Sequence, residues 1–148
     1  MKIILYQPQI PPNTGNIVRT CAVTGTDLIL VGPLGFSVTD RWLKRAGLDY
    51  WEGVNVEMFD EERFGEFLDA NAEVYFFSSH ATKLYTDVQY SSDAVLVFGS
   101  ETAGLPKRIT ERFIDRCVKI PMRNNVRCLN LATSVGIGLY EAIRQTGT

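Results

Sequence analysis

LVFGSETAGLP, residues 96–106, runs from an apolar stretch directly into a glycine-rich turn that holds one carboxylate and closes on Leu-Pro. A continuous apolar run reads as a buried strand, and loops that follow such strands are where open α/β sheets bind ligands. Its outline is that of a phosphate loop, since G-x-x-x-x-G spans Gly99 and Gly104. The chemistry differs. Leu105 and Pro106 stand where Lys and Ser or Thr would be needed, and Glu101 would face a triphosphate with a like charge. A glycine loop carrying an acid suits a ligand without phosphate that offers positive or hydroxyl groups, and S-adenosylmethionine is such a ligand. On spacing alone, Gly99 and Gly104 serve equally well in a tight turn that needs unusual backbone angles.

Two further segments share this polar, glycine-bearing character: PPNTGNIVRT at 11–20 and RCLNLATSVGIGLYEA at 127–142. Between them strand and helix patterns alternate. KIILY (2–6) reads as the first strand, and Asn13 or Thr14 as the cap of a helix that reaches about Thr24 and stops at Gly25. DLILVG follows as a strand, then a short helix capped by Asp40 and ended by Gly47. VNVEMF, EVYFFSS and AVLVFGS read as buried strands, with a helix at about 61–70 between the first two, and CVKIPM as the last strand. The closing helix, from Leu129 to about Arg144, carries Leu131, Val135, Ile137, Leu139, Tyr140 and Ile143 around most of its circumference, which implies burial on more than one side. Gly136 and Gly138 leave gaps there for another backbone, but with no strand before them they form no dinucleotide fingerprint. The pattern predicts an α/β fold, a mostly parallel sheet with helices on both faces.

Composition sets the outer bounds. At 148 residues, 45% apolar and 22% charged, the chain has the size and make-up of one soluble domain. Its apolar runs are too short to span a bilayer and MKIILYQP has no signal-peptide pattern, so a cytoplasmic protein without a membrane partner is expected. Three cysteines without a Cys-x-x-Cys pair and one histidine, His80, suggest neither a disulfide framework nor a metal site. The net charge of −2 conceals an uneven distribution, because seven of the fifteen basic residues fall between Lys107 and Arg127 and three more are Arg41, Lys44 and Arg45. A solvated helix face accounts for such clusters at least as readily as RNA does.

Taken in order, NTGNIVRT, LVFGSETAGLP and CLNLATSVG resemble the three motifs of the SPOUT methyltransferases, and DRWLKRAGLDYW with the YEA near the end narrows the likeness to the TrmL subgroup. That resemblance covers nearly the whole chain. It implies a homodimeric SPOUT (α/β knot) protein with a C-terminal trefoil knot, whose knotted loops hold S-adenosylmethionine, as methyl donor, in a bent conformation. It also implies methylation of the ribose 2′-oxygen of the pyrimidine at wobble position 34 of tRNA, with leucine isoacceptors as the expected substrates and no metal. Carried over by motif, Asn13, Arg19, Glu101 and Asn130 become the catalytic set. Phe77, Ser78, Gly99, Gly104, Ile120, Met122, Cys128 and Leu129 become the donor pocket. Two positions depart from the common pattern. Cys128 stands where serine is frequent, which weakens any side-chain hydrogen bond there, and Ala103 replaces the arginine of ETRGLP.

Methyl transfer from a sulfonium needs alignment and an outlet for the ribose proton. Arg19 suits a phosphate clamp and an electrostatic aid to the developing alkoxide, because a guanidinium stays protonated at physiological pH and makes a poor base. The proton acceptor is then Glu101, a phosphate or water. Plainer roles stand beside these: an ion pair on the helix surface for Arg19, a cap for Asn13, a charge near the Lys107 helix for Glu101, and a loop position for His80. Asn130 lies between two leucines and would need partners if buried. Tyr50 and Trp51 suit either base stacking or apolar contact. Methylation of another RNA and non-catalytic RNA binding are the alternative functions, and a flavodoxin-like nucleotide binder is disfavoured by the glycine-free QPQIPP after the first strand.

Overall fold

The computed structural model describes residues 1–37 and 53–147. Among them, six strands form one sheet: β1 (Lys2–Tyr6), β2 (Asp27–Val31), β3 (Val56–Phe59), β4 (Val74–Phe77), β5 (Val95–Phe98) and β6 (Cys117–Val118). The helices are α1 (Pro11–Thr24), α2 (Glu61–Ala70), α3 (Lys107–Arg112) and α4 (Leu131–Thr146), with a short 3-10 turn at Ile114–Arg116. The strand order is β3-β2-β1-β5-β4-β6, and every pairing is parallel. Parallel strands are covered on both faces, which is why β1, β2 and β5 read as near-continuous apolar runs. One face packs Ile3, Leu5, Leu28 and Leu96 against Ile17 and Val18 of α1 and Val135 and Leu139 of α4. On the other, Ile4, Ile29, Phe76 and Val97 lie under Phe64 and Leu68 of α2 and Ile109 of α3.

Several boundaries follow from local chemistry. Gly25 ends α1 in the left-handed conformation, φ 66°, as the sequence predicts. Asp60 caps α2 by accepting the Arg63 N–H at 2.8 Å. At the start of α1 the prediction fails, because Pro11 and Pro12 are already helical and Ile10 is the N-cap. Proline is at home in a helix's first turn, where its missing N–H would have no partner anyway. Asn13 and Thr14 are therefore inside the helix and buried, and the Thr14 hydroxyl has no hydrogen-bond partner. Strand β6 is also shorter than CVKIPM, for the Lys119 N–H bonds to the Lys83 carbonyl and the chain then leaves the sheet. The helix expected after Asp40, the basic group Arg41, Lys44 and Arg45, and the pair Tyr50 and Trp51 lie outside the described residues.

Sheet register brings the functional loops together. Leu5 pairs with Phe98, Phe98 with Phe77, and Phe77 with Val118. Consequently the segments 7–10, 99–106, 78–81 and 119–130 all leave the sheet at its carboxyl edge. The strand order reverses between β1 and β5, which is where α/β sheets usually open a ligand crevice.

Candidate active site

That crevice is bridged by the protein itself. Gln7 adopts φ 48° and turns the chain, so that the N–H groups of Gln9 and Ile10 donate to the two carboxylate oxygens of Glu101 at 2.8 and 3.1 Å. Glu101 sits in the loop after β5, whose shape Gly99 makes possible. A Cβ on Gly99 would lie 2.1 Å from the carbonyl carbon of Gly104 and 2.3 Å from the nitrogen of Leu105. Gly104 itself has φ 65°, and its N–H closes the turn on the Ser100 carbonyl at 3.0 Å. Both glycines thus do the work of a tight turn, and that turn aims Glu101 at the entrance to α1.

Asn13 and Asn130 extend the contact. The Asn13 side-chain amide reaches Oε1 of Glu101 at 3.5 Å, a long contact, while its Oδ1 accepts from Nδ2 of Asn130 at 2.8 Å. Oδ1 of Asn130 accepts the N–H groups of Ala132 and Thr133 at 2.9 and 3.2 Å, which makes it the N-cap of α4. Asn130 is exposed within this chain rather than sandwiched by leucines. One string of hydrogen bonds therefore joins all three sequence motifs. Arg19 lies six residues beyond Asn13 on α1 and is exposed, whereas Asn13 is 6% exposed. At about 100° per residue the two side chains leave the helix in different directions.

The residues named for the donor pocket surround the neighbouring strand ends. Phe77 is almost fully buried and stacks on Phe98 with centroids 4.5 Å apart. Gly138 makes room for it: a Cβ there would come within 2.8 Å of the Phe77 ring. The gap read in the sequence as space for a backbone thus receives an aromatic ring. Nothing lies within 4 Å of a Cβ placed on Gly136. The Ser78 N–H donates to the Val118 carbonyl at 2.9 Å, which ties the loop after β4 to the segment leading into 119–130. Ile120 is half-buried against the core, and Met122, Cys128 and Leu129 are exposed. Among the described residues, no backbone N–H between 120 and 129 bonds to another part of the fold, and the segment is exposed around a turn at 124–125. Two cavities, of about 270 Å³ beside Glu61 and Arg108 and about 510 Å³ beside Asp87 and Gln145, are lined by none of these residues.

The charged residues sort clearly. Arg108 pairs with Glu61 at 2.8 Å, which also receives the Tyr6 hydroxyl, and Arg112 pairs with Asp69. Arg116 packs on the Phe113 ring and donates to the carbonyls of Asn71 and Ala72. Part of the basic run is thus structural, but Lys107, Lys119, Arg123 and Arg127 form no ion pair among the described residues. Burial pushes the Cys21 thiol up to about 12 and raises that of Cys117, so neither offers a thiolate. His80 is an exposed turn residue whose N–H donates to the Ser78 hydroxyl. The Gln9 and Ile10 N–H groups escape sequence reasoning, because a backbone donor leaves no mark on residue type.

The chain belongs to the SpoU rRNA Methylase family, whose model matches residues 1–140. Within that family the likeness is closer to one activity. A tRNA (cytidine(34)-2′-O)-methyltransferase from Methylovorus glucosotrophus is 45% identical over 144 residues, which cover 97% of this chain and 94% of the relative. A structure solved for insight into the 2-OH methylation of C/U34 on tRNA matches with a TM-score of 0.89 and 44% identity, over 97% of this chain and 94% of the other. An AdoMet-bound rRNA methyltransferase from Sinorhizobium meliloti matches with a TM-score of 0.87 and 29% identity, over 97% of this chain and 55% of the other.

Proposed function

We propose that this protein is a cytoplasmic enzyme that methylates the ribose 2′-oxygen of the position-34 pyrimidine in tRNA, with leucine isoacceptors as substrates and S-adenosylmethionine as donor. The observation that carries this reading is the hydrogen-bonded string through Asn13, Glu101 and Asn130, which unites the three motifs in a chain similar along its length to position-34 methyltransferases. The donor fits the residues at the strand ends. Phe77, Ile120, Met122 and Leu129 offer apolar surface, while backbone N–H and C=O groups between 120 and 129 are available for a purine edge. We assign Gly99, Gly104, Ser78 and Cys128 to the same pocket, and the trefoil knot to the passage of 119–130.

When bound, the sulfonium supplies an activated methyl group. The protein's part is to align the ribose oxygen and handle charge. Arg19 serves as a two-pronged clamp on an RNA phosphate and stabilises the developing alkoxide, and the proton leaves to phosphate or water. Lys107, Arg123 and Arg127 add the sequence-independent attraction for tRNA. A homodimer formed through α1 and α4 accounts for Val23 and Tyr140, 65% and 54% exposed on neighbouring helices, and for the open space at Gly136.

Arg19→Ala tests the assignment. With donor and tRNA saturating, single-turnover methylation should fall by about two orders of magnitude, the scale for losing one charge-stabilising group, and donor affinity should be unchanged. Arg19→Lys should recover little of the rate. Methylation by Arg19→Ala at the wild-type rate would refute the role.

A further inference from the structure

We propose that Glu101 is a positioning residue that sets the direction of the Glu101–Asn13–Asn130 string, and that it does not receive the ribose proton. This inference rests on the methyltransferase reading above. A carboxylate accepts hydrogen bonds and donates none, whereas a side-chain amide has one face of each kind. Glu101 therefore dictates how Asn13 lies: its Nδ2 turns to the carboxylate, leaving Oδ1 for Asn130. Asn130 must then present Nδ2 to Asn13 and Oδ1 to the N–H groups of Ala132 and Thr133. The acceptor-only carboxylate at one end and the donor-only N–H groups of α4 at the other thus agree on one orientation for both amides, and a change of character at Glu101 sets the string against the cap of a helix that starts 30 residues further along the chain. Both Glu101 oxygens are already engaged by the Gln9 and Ile10 N–H groups.

The string joins the parts that must be aligned. Asn13 belongs to α1, which carries Arg19, and Asn130 closes the segment that carries Ile120, Met122, Cys128 and Leu129. A shift of about 1 Å between them is enough to cost about a hundredfold in rate.

Reversing the string provides the test. Glu101→Gln places a donor against the Asn13 amide, and Asn130→Asp places an acceptor against its oxygen. Each single change opposes like groups. Together they restore the pairing at Asn13, because the new glutamine keeps its carbonyl on the Gln9 N–H and donates its amide to Oδ1 of Asn13, while the exposed Ile10 N–H, which shared that oxygen position, turns to water. Nδ2 of Asn13 then donates to the new aspartate, whose carboxylate still caps α4. Single-turnover methylation should fall about a hundredfold in each single variant, and the double variant should regain at least about tenfold over either. Hydrogen exchange of the Ala132 and Thr133 amides supplies a readout independent of activity. Their protection should drop in Glu101→Gln and return in the double variant. A double variant no faster than Glu101→Gln, with those amides protected throughout, would overturn the proposal and favour a proton acceptor at 101. Absence of methylation by the wild-type protein would instead count against the proposed function, while exchange would still report on the string.

Discussion

Gly99→Ala is the smallest change that should dismantle the loop after β5. Its new methyl group would meet the Gly104 carbonyl carbon at 2.1 Å, the Leu105 nitrogen at 2.3 Å and the Gly104 Cα at 2.6 Å, and all three are backbone atoms. Ordinary contact begins at 3.4 Å, so the 104–105 peptide must retreat by about 1.3 Å. No side-chain rotation relieves this. The retreat opens the Ser100–Gly104 turn and draws Glu101 away from Gln9 and Ile10. Overpacking of this kind costs about 1–3 kcal/mol, or a fall in Tm of roughly 2–12 °C for a chain of this size. Single-turnover methylation should drop by about a hundredfold or more, on the scale of an ångström's misplacement. Scanning calorimetry and rapid-quench methylation measure the two effects. A Gly99→Ala protein that melts within about 1 °C of wild type and keeps more than about half its rate would refute the loop argument.

Two further outcomes follow from side chains away from that loop. Hydrogen bonds from Arg144 and Gln145 hold the Glu141 carboxyl at about 2, below the ordinary 4.5, so the unfolded chain binds more protons between those values and stability should fall as pH drops through that window. Urea unfolding at several pH values should show Glu141→Gln with a shallower acid loss, and an unchanged slope would contradict the linkage. Sedimentation should give a homodimer at micromolar concentration and a monomer for Val23→Glu combined with Tyr140→Glu; a wild-type monomer would refute the α1–α4 interface.

The fold is legible where residue type decides backbone behaviour. Buried parallel strands need unbroken apolar runs, and KIILY, DLILV and VLVF supply them. Asp60 and Gly25 mark helix ends through side-chain oxygen and left-handed backbone. The start of α1 misleads because Asn13 has a capping residue's chemistry, while Pro11 and Pro12 are the better signal. Asn130 shows the limit from the other side. Its leucine neighbours suggest burial, yet its place immediately before α4 makes it the cap. The motifs single out Glu101 as important, but its partners are main-chain N–H groups more than 90 residues away, which no residue pattern encodes.

Methyl mapping on tRNA tests the central claim most directly. Unmodified leucine tRNAs are incubated with the purified protein and methyl-labelled S-adenosylmethionine, digested with nuclease and analysed by mass spectrometry. The account predicts label on the ribose of nucleotide 34, as a 2′-O-methyl pyrimidine, that is lost with Arg19→Ala. Label on a base, on another nucleotide, or on none would contradict it.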